Sequence, residues 1–350
     1  MKNKVMVAMS GGVDSSVAAY LLKLEGHEVV GVTMCLGIKR EDSAACCGAE
    51  AINDAKHVCD KLDIPHYVLD FSKELEEKVI TPFAQEYMNG RTPNPCVECN
   101  RYLKFDALIQ KAFALGFEYL ATGHYAAIIE KGGEYFLARA CDNPKDQSYF
   151  LYGIKKNLLK HIKFPLANLT KDKVRSLADQ AGLPVAQKKE SQDICFVPDR
   201  DYAKIVECRC GRFKPGSIVD MAGKVLGRHK GIIHYTIGQR QGLGIGGGKP
   251  FYVVALDAKN NRVIVGERSD LLAKGLVVKN LNMFVDKLPE QFLCKIRYNP
   301  PMVSASGVMD KQGIVVTFNS LVEAVTPGQA VVLYDNDLVL GGGTIDGFLR

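Results

Sequence analysis

The sequence predicts an α/β protein in which a parallel sheet wound with helices is followed by a small β-rich central domain and a C-terminal β-barrel. Short apolar strands alternate with helical patterns from Lys4 onward, as a parallel sheet requires. Past about residue 205, glycine-punctuated short runs replace that alternation. From Lys279 to Arg350, β segments recur at short spacing, which suits a small barrel. Because 350 residues exceed the size at which one core usually keeps growing, the expected domains are 1–200, 201–272 and 273–350.

Each element follows from its own pattern. Lys4–Met9 (KVMVAM) reads as a buried strand, and Val17–Lys23 opens a helix. His27–Met34 is the next strand, Gly48–Leu62 a helix and His66–Leu69 a strand. Helices run through Met88, and another covers Arg101–Leu115. Phe117–Ala121 returns as a strand, and Tyr125–Ala140 reads as a hairpin turning at Lys131, Gly132 and Gly133. Lys171–Ala181 is a helix ended by Gly182 and Pro184. Gly231–Ile237 and Pro250–Leu256 read as short strands, and Cys294–Tyr298, Gly313–Phe318, Ala330–Tyr334 and Leu338–Leu340 as strands of the barrel.

Composition narrows the function classes. No apolar run approaches a membrane span and Met1–Ser16 lacks a signal-peptide layout, so a soluble cytoplasmic protein without a membrane partner is expected. Eleven cysteines scattered through so long a chain suggest thiol or metal chemistry rather than a disulfide framework. The net charge of +6 is local: Lys145 to Glu190 holds ten Lys/Arg against four Asp/Glu. Such a segment suits a polyanion such as nucleic acid, and equally a solvated helical face.

Ser10–Ser16 (SGGVDSS) lies between a strand and a helix, where glycines let backbone N–H groups turn toward one anion. No Gly-Lys-Ser/Thr follows, so the loop is not a Walker A loop and carries no lysine for the terminal phosphates. A loop that holds the β and γ phosphates as one unit suits cleavage between α and β, with transfer of AMP. Asp14 is then a candidate partner of Mg²⁺. This much resembles the PP-loop ATP pyrophosphatase superfamily, which implies a Rossmann-type, adenine nucleotide α-hydrolase-like catalytic domain.

Cys96 and Cys99 form a C-x-x-C in TPNPCVECN, just before a helical run. A helix N-terminus beside Cys99 is expected to lower its thiol below the ordinary value of ~8.5 and make it nucleophilic. Cys195, in KKESQDICFVPD, is the second candidate. The C-x-x-C is equally half of a zinc site with Cys208 and Cys210, and Cys195 equally a small buried hydrophobe. Cys46 and Cys47 precede a helix, while Cys35, Cys59, Cys141 and Cys294 read as buried small side chains.

SGGVDSSVAA, PNPCVECN, TGHYA, KDQSYFL, SQDICF, GIIHYTIGQRQGLGI and LGGGTI occur in the order seen in the tRNA-specific 2-thiouridylases, which the chain resembles along nearly its whole length. The resemblance implies that ATP adenylates the C2 oxygen of a wobble uridine in tRNA and that sulfur replaces it. Sulfur would come from a persulfide, supplied by a sulfur-carrier protein or a cysteine desulfurase. Cys195 matches the cysteine that receives it, and Cys99 the nucleophile that acts on the persulfide or forms a disulfide with Cys195.

The same resemblance assigns the ATP contacts to Ala8, Met9, Ser10, Gly11, Gly12, Val13, Asp14, Ser15, Met34 and Gly123. Asn94, Pro95 and Cys96 match a loop lying against the target base. His124, Lys145, Asp146, Gln147, Arg297, Tyr298 and Gln329 match further tRNA contacts. Cys96 stands where the best-described bacterial members carry an acid. With Cys99 and Cys195 it reproduces the three-cysteine pattern of related thiolation enzymes that bind a [4Fe–4S] cluster, so those three are alternatively iron ligands.

Overall fold

The computed structural model describes residues 2–38, 48–189, 194–197, 201–211, 213–246 and 249–350. Cys46, Cys47 and Ser191–Asp193 of the SQDICF motif lie outside the described residues. The chain forms two compact units, one from Met1–Val79, Cys96–Phe196 and Asp337–Val339, the other from Ile80–Pro95, Val197–Asn336 and Leu340–Arg350.

The first unit is built on β1 (Lys4–Ala8), β2 (Glu28–Cys35), β3 (His66–Asp70), β4 (Tyr119–Thr122) and, after the hairpin of β5 (Ala126–Lys131) and β6 (Glu134–Arg139), the short β7 (Ile162–Lys163). All but the hairpin strands join one parallel sheet in the order β3-β2-β1-β4-β7. Val5, Met6 and Val7 are wholly buried, because a parallel sheet is covered on both faces and its strands need apolar side chains on both. Helix α1 (Val13–Leu24) turns Val17, Ala18 and Leu22 onto this sheet, and α2 (Ala49–Lys61) adds Ala55, Val58 and Cys59 to the same core. Gly132 and Gly133 take positive φ at the tip of the hairpin, as the expected two-glycine turn demands.

Three expectations need correction. The helix expected over Arg101–Leu115 begins earlier, at Pro95, because proline at the first helical position gives up only an N–H that has no partner there. It continues through widened π-helical turns over Cys99–Leu108 into Ile109–Ala114. Gly231–Ile237 holds a 3₁₀ turn at Ile232–His234, where Ile232 and Ile233 are buried in succession, which a one-sided strand does not allow. Cys59 and Cys294 are buried as expected, but Cys141 is exposed and Cys35 half-buried.

In the second unit, β8 (Gly216–Val219), β9 (Val225–His229), β10 (Tyr252–Asp257) and β11 (Arg262–Gly266) form a sheet ordered β10-β11-β8-β9. Next come β12 (Leu272–Met283), β13 (Phe292–Lys295), β14 (Val303–Asp310), β15 (Gly313–Glu323), β16 (Ala330–Asp335) and β17 (Leu338–Leu349). They run β12-β15-β14-β13-β16-β17, and β17 pairs back onto β12 through Val277 and Gly347. This closes a six-stranded barrel and leaves it no open edge. Leu276, Val278, Ile314, Val316, Leu333 and Ile345 fill its interior.

Two polar brackets fix loops in this unit. Gln329 Nε2 donates to the Thr92 carbonyl at 2.8 Å, and Thr92 N donates to the Pro327 carbonyl at 2.9 Å. Gly328 between them has φ +92°, and a Cβ there would lie 2.8 Å from Thr92 N, so only glycine lets the turn grip the loop. Arg297 Nη2 donates to the carbonyls of Ile237 at 3.2 Å and Ala324 at 2.7 Å, and to Thr326 Oγ1. Among the described residues, no helix is long and apolar enough to cross a membrane.

Replacing Arg297 by Met removes its bonds to both carbonyls, of which that of Ala324 keeps the Thr326 hydroxyl, and should lower unfolding stability by about 2 kcal/mol. A shifted urea midpoint checks this, and unchanged stability would return Arg297 to a purely surface role.

Candidate active site

The phosphate-loop candidates sit where the sheet reverses direction. β1 has β2 on one side and β4 on the other, and the crevice beyond the carboxyl ends of such a strand pair is where open α/β sheets take ligands. Ala8 ends β1, Met9 through Gly12 make the turn, and Val13, Asp14 and Ser15 form the first turn of α1. Gly11 has φ +70°, and a Cβ there would lie 2.3 Å from the Ala51 carbonyl oxygen, so backbone strain and space both demand glycine. Gly12 caps α1 without a side-chain hydrogen bond, which leaves the first amides of the helix for an anion. Hydroxyls brace the turn: Ser15 Oγ receives the Ser10 amide and donates to the Gly12 carbonyl, both at 3.2 Å, and Ser16 Oγ donates to the same carbonyl at 2.8 Å.

Gly123 follows β4. A Cβ there would lie 2.5 Å from Ser15 N and 2.6 Å from the Asp14 carbonyl carbon, so the end of β4 rests directly on the first turn of α1. Met34 lies near the carboxyl end of β2, half-buried. Asp14 does not stand open for a metal: its carboxylate accepts from Tyr125 Oη at 2.9 Å and pairs with Lys171 Nζ at 2.7 and 2.8 Å. As a hard oxygen donor beside the loop it still fits Mg²⁺. Sequence reasoning missed both partners. The available signal was the run Thr170-Lys171-Asp172-Lys173, which puts cations in a first helical turn where acids are the rule.

His124 leads from the phosphate loop to the thiols. Its Nδ1 lies 2.7 Å from Thr122 Oγ1 and its Nε2 3.5 Å from Lys104 Nζ, with the rings of Phe105 and Phe164 about it. Burial, helped by the Lys104 charge, holds His124 well below its ordinary pKa, so the ring is neutral. Lys104 Nζ also donates to Asn100 Oδ1 at 2.9 Å, and its charge favours the thiolate forms of Cys96, Cys99 and Cys195 alike. Lys104 was likewise missed. It sits inside the helix that begins with the C-x-x-C, a position where lysine is unremarkable in sequence.

The three cysteines form one electrostatic group. Cys195 arrives from a distant segment, yet Cys96 and Cys99 both act on its thiol. Cys96 and Cys195 reach solvent as residues, while the protein crowding their sulfurs strips the hydration a thiolate needs. Burial therefore raises all three, Cys195 to about 12. This corrects the expectation for Cys99. The helix starts at Pro95, so Cys99 lies one turn inside it, and desolvation outweighs the Lys104 charge. The iron–sulfur alternative gains no support: among the described residues no group of three His, Cys, Asp or Glu is placed to hold a metal ion.

The expected RNA contacts divide. Asp146 is buried, and its carboxylate accepts from the Ala140 and Ser148 amides and from Ser148 Oγ, so it braces its own turn. Gln147 Oε1 accepts from the Tyr125 amide at 3.0 Å, which ties this turn to the start of β5. Lys145 is half-buried at the head of the segment. Arg297 and Gln329, both expected to contact tRNA, hold backbone carbonyls of the protein. Lys295 Nζ lies 5.1 Å from the centre of the neighbouring Tyr298 ring. Asn94 is half-buried in the bracketed loop and Pro95 buried at its end, before Cys96. Within the basic segment, Lys155, Lys156, Lys171 and Lys188 each meet a carboxylate, so its net charge overstates the field it presents.

Comparison with known proteins gives a consistent picture. Family models match in succession: a tRNA methyl transferase HUP domain over residues 3–199, a tRNA methyl transferase PRC-barrel domain over 208–267, and an aminomethyltransferase beta-barrel domain over 273–345. The tRNA-specific 2-thiouridylase MnmA 1 of Syntrophus aciditrophicus is 52% identical over 99% of this chain and 93% of its own. The tRNA-specific 2-thiouridylase MnmA of Carboxydothermus hydrogenoformans is 49% identical over 99% of this chain and 98% of its own. Among solved structures, the U34-tRNA thiolase NcsA from Methanococcus maripaludis with its [4Fe-4S] cluster covers 59% of this chain and 65% of its own, at 21% identity and TM-score 0.37. With about half its residues identical to full-length relatives from end to end, the chain belongs to the tRNA-specific 2-thiouridylase family.

Proposed function

We propose that this protein is an ATP-dependent sulfurtransferase that converts the wobble uridine of tRNA to 2-thiouridine. The observation that carries the reading is the continuity of the two chemistries within one unit. Gly123 rests on the phosphate loop at Ser15, the next residue His124 reaches Lys104, and Lys104 acts on all three thiols. A nucleotide held at the loop and a sulfur carried on Cys195 would both be presented to one base.

The chemistry follows in two stages. The uridine O2 attacks the α-phosphorus of ATP, pyrophosphate leaves, and C2 acquires an AMP leaving group in place of a poor oxide. The amides of the loop and of the first turn of α1 bind the departing pyrophosphate. Mg²⁺, when bound, would be held by Asp14 and would neutralise phosphate charge. The terminal sulfur of a Cys195 persulfide then adds to C2 and AMP departs. Attack by the Cys99 sulfur on Cys195 Sγ leaves sulfur on the base and a Cys99–Cys195 disulfide, which a two-electron thiol reductant reopens. His124, neutral and hydrogen-bonded through Nδ1, positions the base without adding charge, and Lys104 stabilises the sulfur anions.

Burial keeps the resting thiols protonated, which protects them from oxidation until sulfur is delivered. Cys195 reaches solvent, as a cysteine loaded by a carrier protein or desulfurase must. The cytoplasm, where tRNA and such donors meet, is the proposed place of action.

Purified protein with ATP, unmodified tRNA and a persulfide donor should yield 2-thiouridine by nucleoside mass spectrometry. Changing Cys99 to Ser should abolish that product while leaving ATP affinity within about twofold, and a Cys99→Ser enzyme that still thiolates would defeat the assignment. Titration offers a second check. With its pKa raised to about 12, Cys195 should be alkylated by iodoacetamide at a rate that climbs without plateau through pH 10. A Lys104→Met change should slow alkylation further at fixed pH, because a charge that favours thiolate is gone. An inflection near neutrality would show that the thiol is activated rather than suppressed.

A further inference from the structure

We propose that Lys171 is the phosphate-binding cation of the ATP site, held by Asp14 while the site is empty and transferred to phosphate oxygens when nucleotide binds. The inference rests on the ATP-dependent reading above and adds a residue to it. The phosphate loop itself has no lysine where a Walker A loop has one. The fold supplies one from 157 residues downstream, with Nζ 2.7 and 2.8 Å from the two oxygens of Asp14 in the first turn of α1.

The position of Lys171 suits an anion at the loop as well as it suits Asp14. Lys171 is the first residue of helix Lys171–Gln180, after the N-cap Thr170, so its cation stands at the positive end of its own helix. It is only 8% exposed, so little water screens it. The carboxylate that receives it lies at the N-terminus of a second helix, α1. The ammonium and the N-terminus of α1 therefore meet at the Asp14 carboxylate, which Tyr125 Oη also binds at 2.9 Å. Asp142 Oδ2 accepts the Lys171 backbone amide at 2.8 Å and fixes where the side chain starts. A polyphosphate arriving at the loop meets the amides of the first turn of α1 with this cation beside them. When it binds, Asp14 is freed toward Mg²⁺ and Lys171 toward the phosphates. The exchange swaps one charged partner for another and leaves no buried charge alone.

The test uses inorganic pyrophosphate without Mg²⁺, titrated calorimetrically into the full-length protein, so that Asp14 has no metal to hold. Asp14→Asn should then tighten pyrophosphate binding severalfold, because it removes the competitor for Lys171. Lys171→Gln should weaken it tenfold or more and flatten its salt dependence by about one phosphate contact. Since Lys171→Gln alone strands Asp14, the double change Asp14→Asn/Lys171→Gln carries the decisive comparison: it should bind as weakly as the single lysine variant. A pair that only braces the loop predicts the opposite pattern. Under that alternative Asp14→Asn weakens binding and the neutral double variant recovers wild-type affinity, and either result overturns the proposal. Wild-type protein that thiolates tRNA while Lys171→Gln leaves pyrophosphate affinity unchanged would sink this inference and spare the function. Lysine-dependent pyrophosphate binding in a protein that never forms 2-thiouridine would do the reverse.

Discussion

The carboxyl end of β4 has to touch the first turn of α1, and a glycine at position 123 is what permits it. A Cβ there would overlap the backbone of Asp14 and Ser15, so any side chain would push the strand away from the phosphate loop. The contact positions more than it fills. It sets His124 one residue beyond the contact with the phosphate loop, within reach of Lys104. The sheet contributes the rest: β1 and β4 are neighbours only because the strand order reverses at β1, which opens the crevice that the loop and His124 share.

Lys171 and Asp14 pair beside the loop, and Lys104 acts on three thiols that burial keeps protonated. The same burial that suppresses thiolates also removes positive charge from His124, so the ring contributes shape and a hydrogen bond. Such an environment suits sulfur chemistry that must wait. A low-pKa cysteine facing solvent would be oxidised between turnovers, whereas a raised one stays inert until a donor and an activated base are both in place. The π-helical turns after Cys99 belong to the same design, since they widen the helix where Asn100 bonds the Phe150 carbonyl and receives Lys104.

In the second unit, polar side chains that resemble nucleic-acid contacts in sequence serve the protein's own backbone. Arg297 and Gln329 are each surrounded in sequence by ordinary strand and turn residues, and nothing local indicates that their donors face carbonyls far along the chain. The consequence of the Gln329 bracket is local and firm. It holds the loop through Thr92 and Pro93, so the residues leading to Asn94 and Pro95 start from a fixed anchor.

What the sequence determined by itself were the features written in short-range patterns. Parallel strands showed as apolar runs, the phosphate turn as glycines between a strand and a helix, the hairpin as Gly132 and Gly133, and the barrel as closely spaced β segments. Motif order along the chain was enough to mark the family. Tertiary structure alone decided which charges meet: Asp14 with Lys171, His124 with Lys104, Asp146 with its own turn, and Cys195 with the C-x-x-C. It also decided that Cys99 is raised in pKa rather than lowered. The physical reason is common to all of these. Periodicity and turn chemistry act over a few residues and leave a trace in the sequence, while burial and electrostatic partnership depend on distances that exist only after the chain has packed, whether the partners lie 157 positions apart, as Asp14 and Lys171 do, or 20, as Lys104 and His124 do.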